Sequence, residues 1–354
     1  MTMTTRERFA RMYQHKDADR IPILDIPWSQ TIDRWVAEGM PTRDYVSYFD
    51  LDQVGQISAD YSPQYEAKTI EETDAYTIYT TSWGVTMKSW KHIASTPDFL
   101  DFTVKDREAW SDAKARMVPS RDRVNWHMLK ENYANWQKEG RWTIGHIWFG
   151  FDVTHSWMVG TERLLMALVE DPDWCADMFN TYLDMNIAMM DMIWDAGYHF
   201  DEVTWSDDMG YKGTSFFSLD MYRELVRPVQ QRAIEWAHAK GIKARLHSCG
   251  DISKFIPEFI DMGLDALNPL EVKAGLDPVA IKRQYGDKLV LHGGVNAVLW
   301  DDAEAITEEI RRVVPQLKQQ GGYIFASDHS IPNSVSLDNF RRIIQEAKAC
   351  GSYQ

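Results

Sequence analysis

From residue 202 onward the chain repeats one unit: a short apolar run ending in a polar residue, then a helical pattern stopped by glycine. The runs at 202–205, 243–246, 265–268, 288–291 and 323–326 read as strands. Ser218 caps a helix that stops at Gly241, residues 252–262 precede Gly263, Asp277-Pro278 opens a helix ended by Gly286, and residues 303–319 precede Gly321-Gly322. A last helix covers 337–349. Strands that alternate with helices argue for a parallel sheet.

Three further strand patterns lie upstream, at 19–26, 53–58 and 142–148, which brings the total to eight. Eight units predict an α/β fold of the closed (β/α)8 TIM-barrel type, as a single domain over 1–354. An open doubly wound sheet is the alternative, but the GxGxxG fingerprint and the P-loop are both absent. An insertion at about 66–140 separates strands two and three. It reads as a β-ribbon made of 76–79 and 84–90, then a polar helical excursion over 98–139. Residues 5–14, 32–38, 45–49, 161–170 and 173–196 read as helices; in the last, Met185, Met189, Met190 and Met192 recur at helical spacing and read as core filler.

Charge and cysteine content exclude several classes. A formal net charge of −15 argues against nucleic acid or an anionic membrane as the main partner. No run approaches the roughly 18 apolar residues of a membrane span, and residues 1–15 lack an apolar signal core, so a soluble cytoplasmic protein is expected. Three cysteines, Cys175, Cys249 and Cys350, cannot make a disulfide framework, and there is no CxxC pair. Most of the 15 tryptophans belong to the core, with several available to line an apolar cavity.

In a barrel the C-terminal ends of the strands face one mouth, where the chemistry sits. Those positions hold Asp25 and Trp28, Asp60, His146 and Trp148, Asp207 and Asp208, His247 and Cys249, Glu271, His292, and Asp328 with His329. Alone, His247 reads as a satisfied core histidine and Cys249 as a small buried apolar side chain. Together, two residues apart on an extended segment, they face the same way and can reach one metal ion. A catalytic zinc takes three protein ligands and keeps a fourth position open. Glu271, His292, Asp328 and His329 are the candidates for the third ligand, and spacing does not rank them. Of the consecutive Asp207 and Asp208, at most one points inward, as a general acid or base, a partner fixing a histidine tautomer, or a helix cap. Cys175 and Cys350 fall in or at the end of helices without such neighbours.

Several stretches resemble the uroporphyrinogen decarboxylase superfamily: Arg6-Glu7-Arg8-Phe9, Asp17-Ala18-Asp19-Arg20-Ile21-Pro22, Leu246-His247-Ser248-Cys249-Gly250, His292-Gly293-Gly294 and Ser327-Asp328-His329-Ser330-Ile331-Pro332. The resemblance spans nearly the whole chain and implies the (β/α)8 barrel. That superfamily holds metal-free porphyrinogen decarboxylases and zinc-dependent methyltransferases that work with a corrinoid protein. The arginine-rich stretch with which the decarboxylases grip substrate carboxylates is replaced here by Pro27-Trp28-Ser29-Gln30-Thr31-Ile32. The His-x-Cys pair of the methyltransferases is matched by His247 and Cys249, while their later cysteine falls at His329. The resemblance is therefore closer to the methyltransferase branch.

The leading reading is a zinc-dependent methyltransferase or demethylase that moves a methyl group between a small methylated substrate, a methoxyaromatic among the options, and a corrinoid protein. His247 and Cys249 would hold zinc, with Glu271 or His329 completing the set. Asp207, Asp208, Asp328 and His292 are the candidate catalytic groups; Trp28, Trp148 and Trp205, with Asp60, His146 and Tyr211, are the candidate substrate contacts. The cobalamin must ride on a separate protein, because the chain lacks an Asp-x-His-x-x-Gly motif. A homodimer is left open. The alternative is a metal-free decarboxylase or lyase of a small carboxylic acid, with Asp25, Asp60 or Asp207 protonating a carbanion-like carbon. A binding module without turnover is the third reading.

Overall fold

The computed structural model describes residues 2–92 and 95–353. Seven strands form one sheet in the order Val54–Ile57, Trp142–Ile147, Glu202–Ser206, Lys243–His247, Ala266–Asn268, Val290–His292 and Tyr323–Ile324. Every neighbouring pair is parallel. Spatial order follows chain order, and the sheet curls into the α/β, TIM-barrel-like arrangement that the alternation implies.

The segment 19–26 departs from the expected first strand. Pro22 and Pro27 have no amide to donate, and the segment makes single bridges rather than a ladder: Arg20 to Ser352, Ile23 to Phe325 and Pro27 to Ile331. Phe325 N–H donates to the Pro22 carbonyl at 2.8 Å, and on the other side Asp52 N–H donates to the Ile23 carbonyl at 3.2 Å. The extended segment thus lies between the last strand and the chain entering Val54–Ile57.

The insertion holds a four-stranded antiparallel sheet, Lys68–Glu72, Tyr76–Thr80, Val85–Trp90 and Asp98–Phe102. The two middle strands cover the ribbon read from the sequence. Asp98–Phe102 corrects the helical reading of that stretch. Its Phe99 and Phe102 stand opposite Met87 and Val85, and such cross-strand pairing overrides a local helical pattern. Helices Arg107–Arg116 and Trp126–Lys138 follow.

Helix Thr5–Tyr13 starts at a capping box formed by Thr4 and Glu7. Its Phe9 and Tyr13 stack on Trp142 at 5.6 and 5.5 Å between ring centroids. Trp142 opens its strand, so this helix packs at the end of the sheet away from the candidate site. Helix Pro172–Asp195 buries Met185, Met189 and Met190, consistent with their reading as core filler. No described helix is long and apolar enough to cross a membrane.

Candidate active site

A cavity of about 660 Å³ opens at the C-terminal ends of the strands. Strand pleating decides what faces it, since side chains two residues apart share a face. His247 stands in register with Ser206 and Asn268, and one pleat deeper Arg245 stands beside Thr204 and Ala266.

Beyond His247 the chain turns under tight backbone control. Ser248 N–H donates to the Asn268 carbonyl at 2.8 Å, and the Ser248 hydroxyl accepts from Met209 N–H at 3.1 Å. Cys249 N–H donates to the Asp208 carboxylate at 2.8 Å, and Gly250 N–H to the Glu271 carboxylate at 2.6 Å. Cys249 Sγ then lies 3.3 Å from His247 Nε2, and Asp208 Oδ1 lies 3.7 Å from the same nitrogen. The ligand atoms of Asp208, His247 and Cys249 all fall within 4.8 Å of one another. Around a tetrahedral zinc the nitrogen–sulfur and nitrogen–oxygen edges are about 3.6 and about 3.4 Å, so the donor set fits one ion.

Asn268 orients the histidine. Its side-chain amide nitrogen donates to the His292 carbonyl at 3.1 Å, which turns its oxygen towards His247 Nδ1 at 2.5 Å. Nδ1 must then carry the proton, leaving the Nε2 lone pair directed at the shared point between the three side chains. Burial, then the nearby Asp208, push the Cys249 thiol well above its ordinary range, so binding a metal here releases a proton.

The other candidate ligands stand apart. No set of three described side chains that includes Glu271 or His329 lies within 4.8 Å. Glu271 instead holds the Gly250 amide and pairs with Lys273 at 3.3 Å. His329 lines the cavity, held below its ordinary pKa by burial and by Lys273. His292 is occupied on both ring nitrogens: Nδ1 accepts from Arg245 at 2.6 Å and Nε2 donates to the Leu24 carbonyl at 2.8 Å.

Two of the acid–base candidates are enclosed. Asp207 is fully buried and accepts from Asp152 N–H at 2.9 Å and from the Gln230 amide at 2.8 Å. Burial pushes its pKa up to about 8. Asp328, also fully buried, accepts from the amides of Val272 at 2.8 Å and Ala297 at 2.7 Å. Each ties neighbouring loops together, and neither lines the cavity. Of the consecutive pair it is Asp208 that faces the cavity.

Trp28, Asp60, His146 and Trp148 all line the cavity. Trp205 contributes to the lining, but it is 1% exposed and its ring packs on Phe149 at 5.5 Å, because it occupies the opposite strand phase from Thr204 and Ser206. Tyr211 lies outside, exposed on a short hairpin beside Phe216. Sequence reasoning missed Trp83, Asn268 and Arg245, all three in the lining. Strand parity with His247 is a signal that finds Arg245; Trp83 comes from the inserted sheet, 5.4 Å from Trp148, and has no such signal. Asp25 also lines the cavity, its pKa pushed up to about 6 by burial despite bonds from the Ser327 amide and hydroxyl.

Two buried histidines make stability pH-dependent. Burial, reinforced by the Arg245 cation, holds His146 down to about 4 and His292 down to about 3, against an ordinary value of 6.5. A base whose folded pKa is depressed contributes in full above the unfolded pKa and loses that contribution as pH falls below it. Each histidine is expected to cost about 2 kcal/mol at about pH 5 relative to about pH 8. Urea unfolding at the two pH values measures the loss. His146→Phe should remove about half of it; an undiminished loss would show that His146 is not held neutral.

The sequence pattern of the uroporphyrinogen decarboxylase (URO-D) family matches residues 151–350. No curated protein sequence matches the chain. Among solved structures, a methyltransferase from Methanosarcina mazei superposes with a TM-score of 0.65 over 98% of this chain and 99% of that one, at 14% identity. A 3-keto-D-glucoside 4-epimerase from E. coli covers 63% of this chain and 84% of its own, at 12% identity and a TM-score of 0.38. The first of these likenesses is one of fold. The family match takes in more than half of the chain and includes the strand Glu202–Ser206, the His247–Cys249 turn and the last strand. The chain belongs to the uroporphyrinogen decarboxylase family.

Proposed function

We propose that this chain is a zinc-dependent methyltransferase or demethylase, moving a methyl group between a small methylated substrate and a corrinoid protein. The observation that carries the reading is the mutual approach of Asp208, His247 and Cys249 on the cavity wall, with His247 Nε2 left free by Asn268. The Methanosarcina mazei protein that shares this fold is a methyltransferase, which supports the reading. Asp208 takes the third ligand position that the sequence left between Glu271 and His329.

When bound, zinc would supply a Lewis acid to the heteroatom that carries the methyl group. Trp28, Trp83 and Trp148 give the cavity flat apolar faces suited to an aromatic ring, and they exclude water from it. In the demethylation direction the methyl group would leave the substrate oxygen for the partner's reduced corrinoid, and the freed oxygen would take up a proton. Asp25 is the lining carboxyl best matched to that proton, with a pKa pushed up to about 6. The reading keeps the chain as one domain over 1–354 acting in the cytoplasm, where Cys249 stays reduced.

Metal analysis of protein purified without chelator or metal-affinity tag is the first test, with one zinc per chain expected. The second is methylation of added reduced cobalamin by a panel of methyl ethers, followed by the absorbance change of the corrinoid. Metal-free protein whose His247→Ala variant keeps full activity would sink the reading. Carbon dioxide release by apo protein would install the lyase alternative.

Asn268→Ala should lower zinc affinity about 10- to 100-fold, because the imidazole loses the acceptor that fixes its tautomer. Competition against a chromophoric chelator reads this directly. An unchanged affinity would show that Asn268 does not orient the ligand.

A further inference from the structure

Below the metal candidates, the cavity floor carries polar groups that the fold does not satisfy. Among the described residues Arg245 is the one lysine or arginine in the lining, and it is 6% exposed. Its Nε donates to Glu202 at 2.5 Å and its Nη1 to His292 at 2.6 Å. No described residue accepts from Nη2, and that atom is not sealed from the cavity. A guanidinium serving only as the counter-ion of Glu202 would turn two nitrogens of its fork to that carboxylate. Here Glu202 Oε2 is taken by Tyr13 at 2.6 Å and Trp142 at 2.9 Å, so Glu202 fixes Arg245 by one edge and leaves the other facing inward.

Two neighbours share the condition. Thr204 stands in register between His146 and Arg245, so all three side chains project from one level of the sheet. His146 Nε2 is buried with no partner, and the Thr204 hydroxyl has none among the described residues. A buried polar group without a partner is costly. Of the three, His146 Nε2 is the buried one; the Arg245 and Thr204 groups open to the cavity, and a ligand that brings acceptor oxygens reaches all three at once.

We propose that the substrate carries a carboxylate and that Arg245, with Thr204 and His146, seats it on the cavity floor. Arg245 precedes His247 by two residues, so the carboxylate site lies about 6.6 Å below the metal candidates along the strand. One aromatic ring with the carboxylate at one end and the methylated oxygen at the other spans that separation between the tryptophan walls. The proposal names the substrate class of the site given under Proposed function and rests on that reading for which end of the ligand reacts. The anchoring end stands by itself. Arg245, Thr204 and His146 are positioning groups for a ligand, with no step of the reaction assigned to them.

The test is binding, read by quenching of tryptophan fluorescence, of 3- and 4-methoxybenzoate against the matching methoxybenzamides. It needs neither metal nor corrinoid. Wild-type protein should bind at least one benzoate about 10-fold or more tightly than its amide. Arg245→Gln alone strands a buried Glu202 charge and threatens folding, so the decisive variant is Arg245→Gln with Glu202→Gln, which removes the pair together. The double variant should lose the preference for carboxylate while still binding the amide. His146→Phe and Thr204→Val should each weaken the benzoate more than the amide. If no benzoate binds more tightly than its amide, or if the preference survives in the double variant, the proposal is overturned. A carboxylate preference without any methyl transfer would leave this site standing and remove the methyltransferase reading. Methyl transfer from neutral ethers with no carboxylate preference would do the reverse.

Discussion

Cys249→Ala is expected to lower zinc affinity about 1,000-fold and to abolish methyl transfer at ordinary metal concentrations. A structural zinc contributes about 10–16 kcal/mol through its whole ligand set, so one thiolate of three protein ligands accounts for about 4 kcal/mol, or roughly three decades. Nothing else in reach replaces it: Cys175 is buried in helix Pro172–Asp195, and Cys350 sits in helix Leu337–Gly351 beside Glu346. Chelator competition and metal analysis of the folded variant give the number. The same assay ranks the disputed third ligand. Asp208→Ala should cost far more affinity than His329→Ala, because Asp208 lies within 4.8 Å of both other donors and His329 does not. Glu271→Ala should fall between them, acting through the Gly250 amide it holds at 2.6 Å. If His329→Ala proves the most damaging, the Asp208 assignment is wrong and the sequence expectation of a ligand at 329 is restored. A Cys249→Ala protein that keeps one tightly bound zinc would remove Cys249 from the site altogether.

The His247–Cys249 pair was legible because it depends only on strand pleating, which a sequence displays directly. The approach of Asp208 to that pair was not legible, and the reason is geometric. Glu271, His292, Asp328 and His329 all sit near strand ends, but their use is set by bonds between loops. Asp328 bonds to the amides of Val272 and Ala297, His292 to Arg245 and Leu24, and Glu271 to Gly250. None of these contacts leaves a trace in local spacing. The same holds for the fold. The repeat after residue 202 displays its strands and helices openly, whereas Asp98–Phe102 becomes a strand only by pairing with Val85–Trp90. The run at 19–26 reads as a strand, but Pro22 within it and Pro27 just after it leave it only isolated bridges. Arg245 shares the strand parity of His247, but nothing in local spacing tells an arginine that faces a cavity from one held in an ion pair, and on its Glu202 side it is held in one.

Gly250→Ala is expected to destabilise the protein by about 3–5 kcal/mol and to dismantle the metal site with it. Gly250 adopts φ +81°, where a side chain is strained by about 1 kcal/mol before any contact is counted. Most of the destabilisation is steric. A Cβ there would fall 2.2 Å from the Gly210 carbonyl carbon and 2.5 Å from Tyr211 N, both backbone atoms that cannot rotate aside. Relief requires the two turns to separate, which breaks the bond from Gly210 N–H to the Cys249 carbonyl at 3.1 Å. It also draws Cys249 away from Asp208 and His247. Gly241→Ala is the matched control: its φ is +73°, yet nothing lies within 4 Å of the added Cβ, so it should cost only about 1 kcal/mol. Urea unfolding of the two variants separates backbone strain from close approach. Equal losses would mean that the Gly210–Gly250 contact does not position the site. A Gly250→Ala protein that folds with reduced stability but keeps full zinc affinity would show that the thiolate is placed by the strand alone, and the turn could then be varied without touching the chemistry.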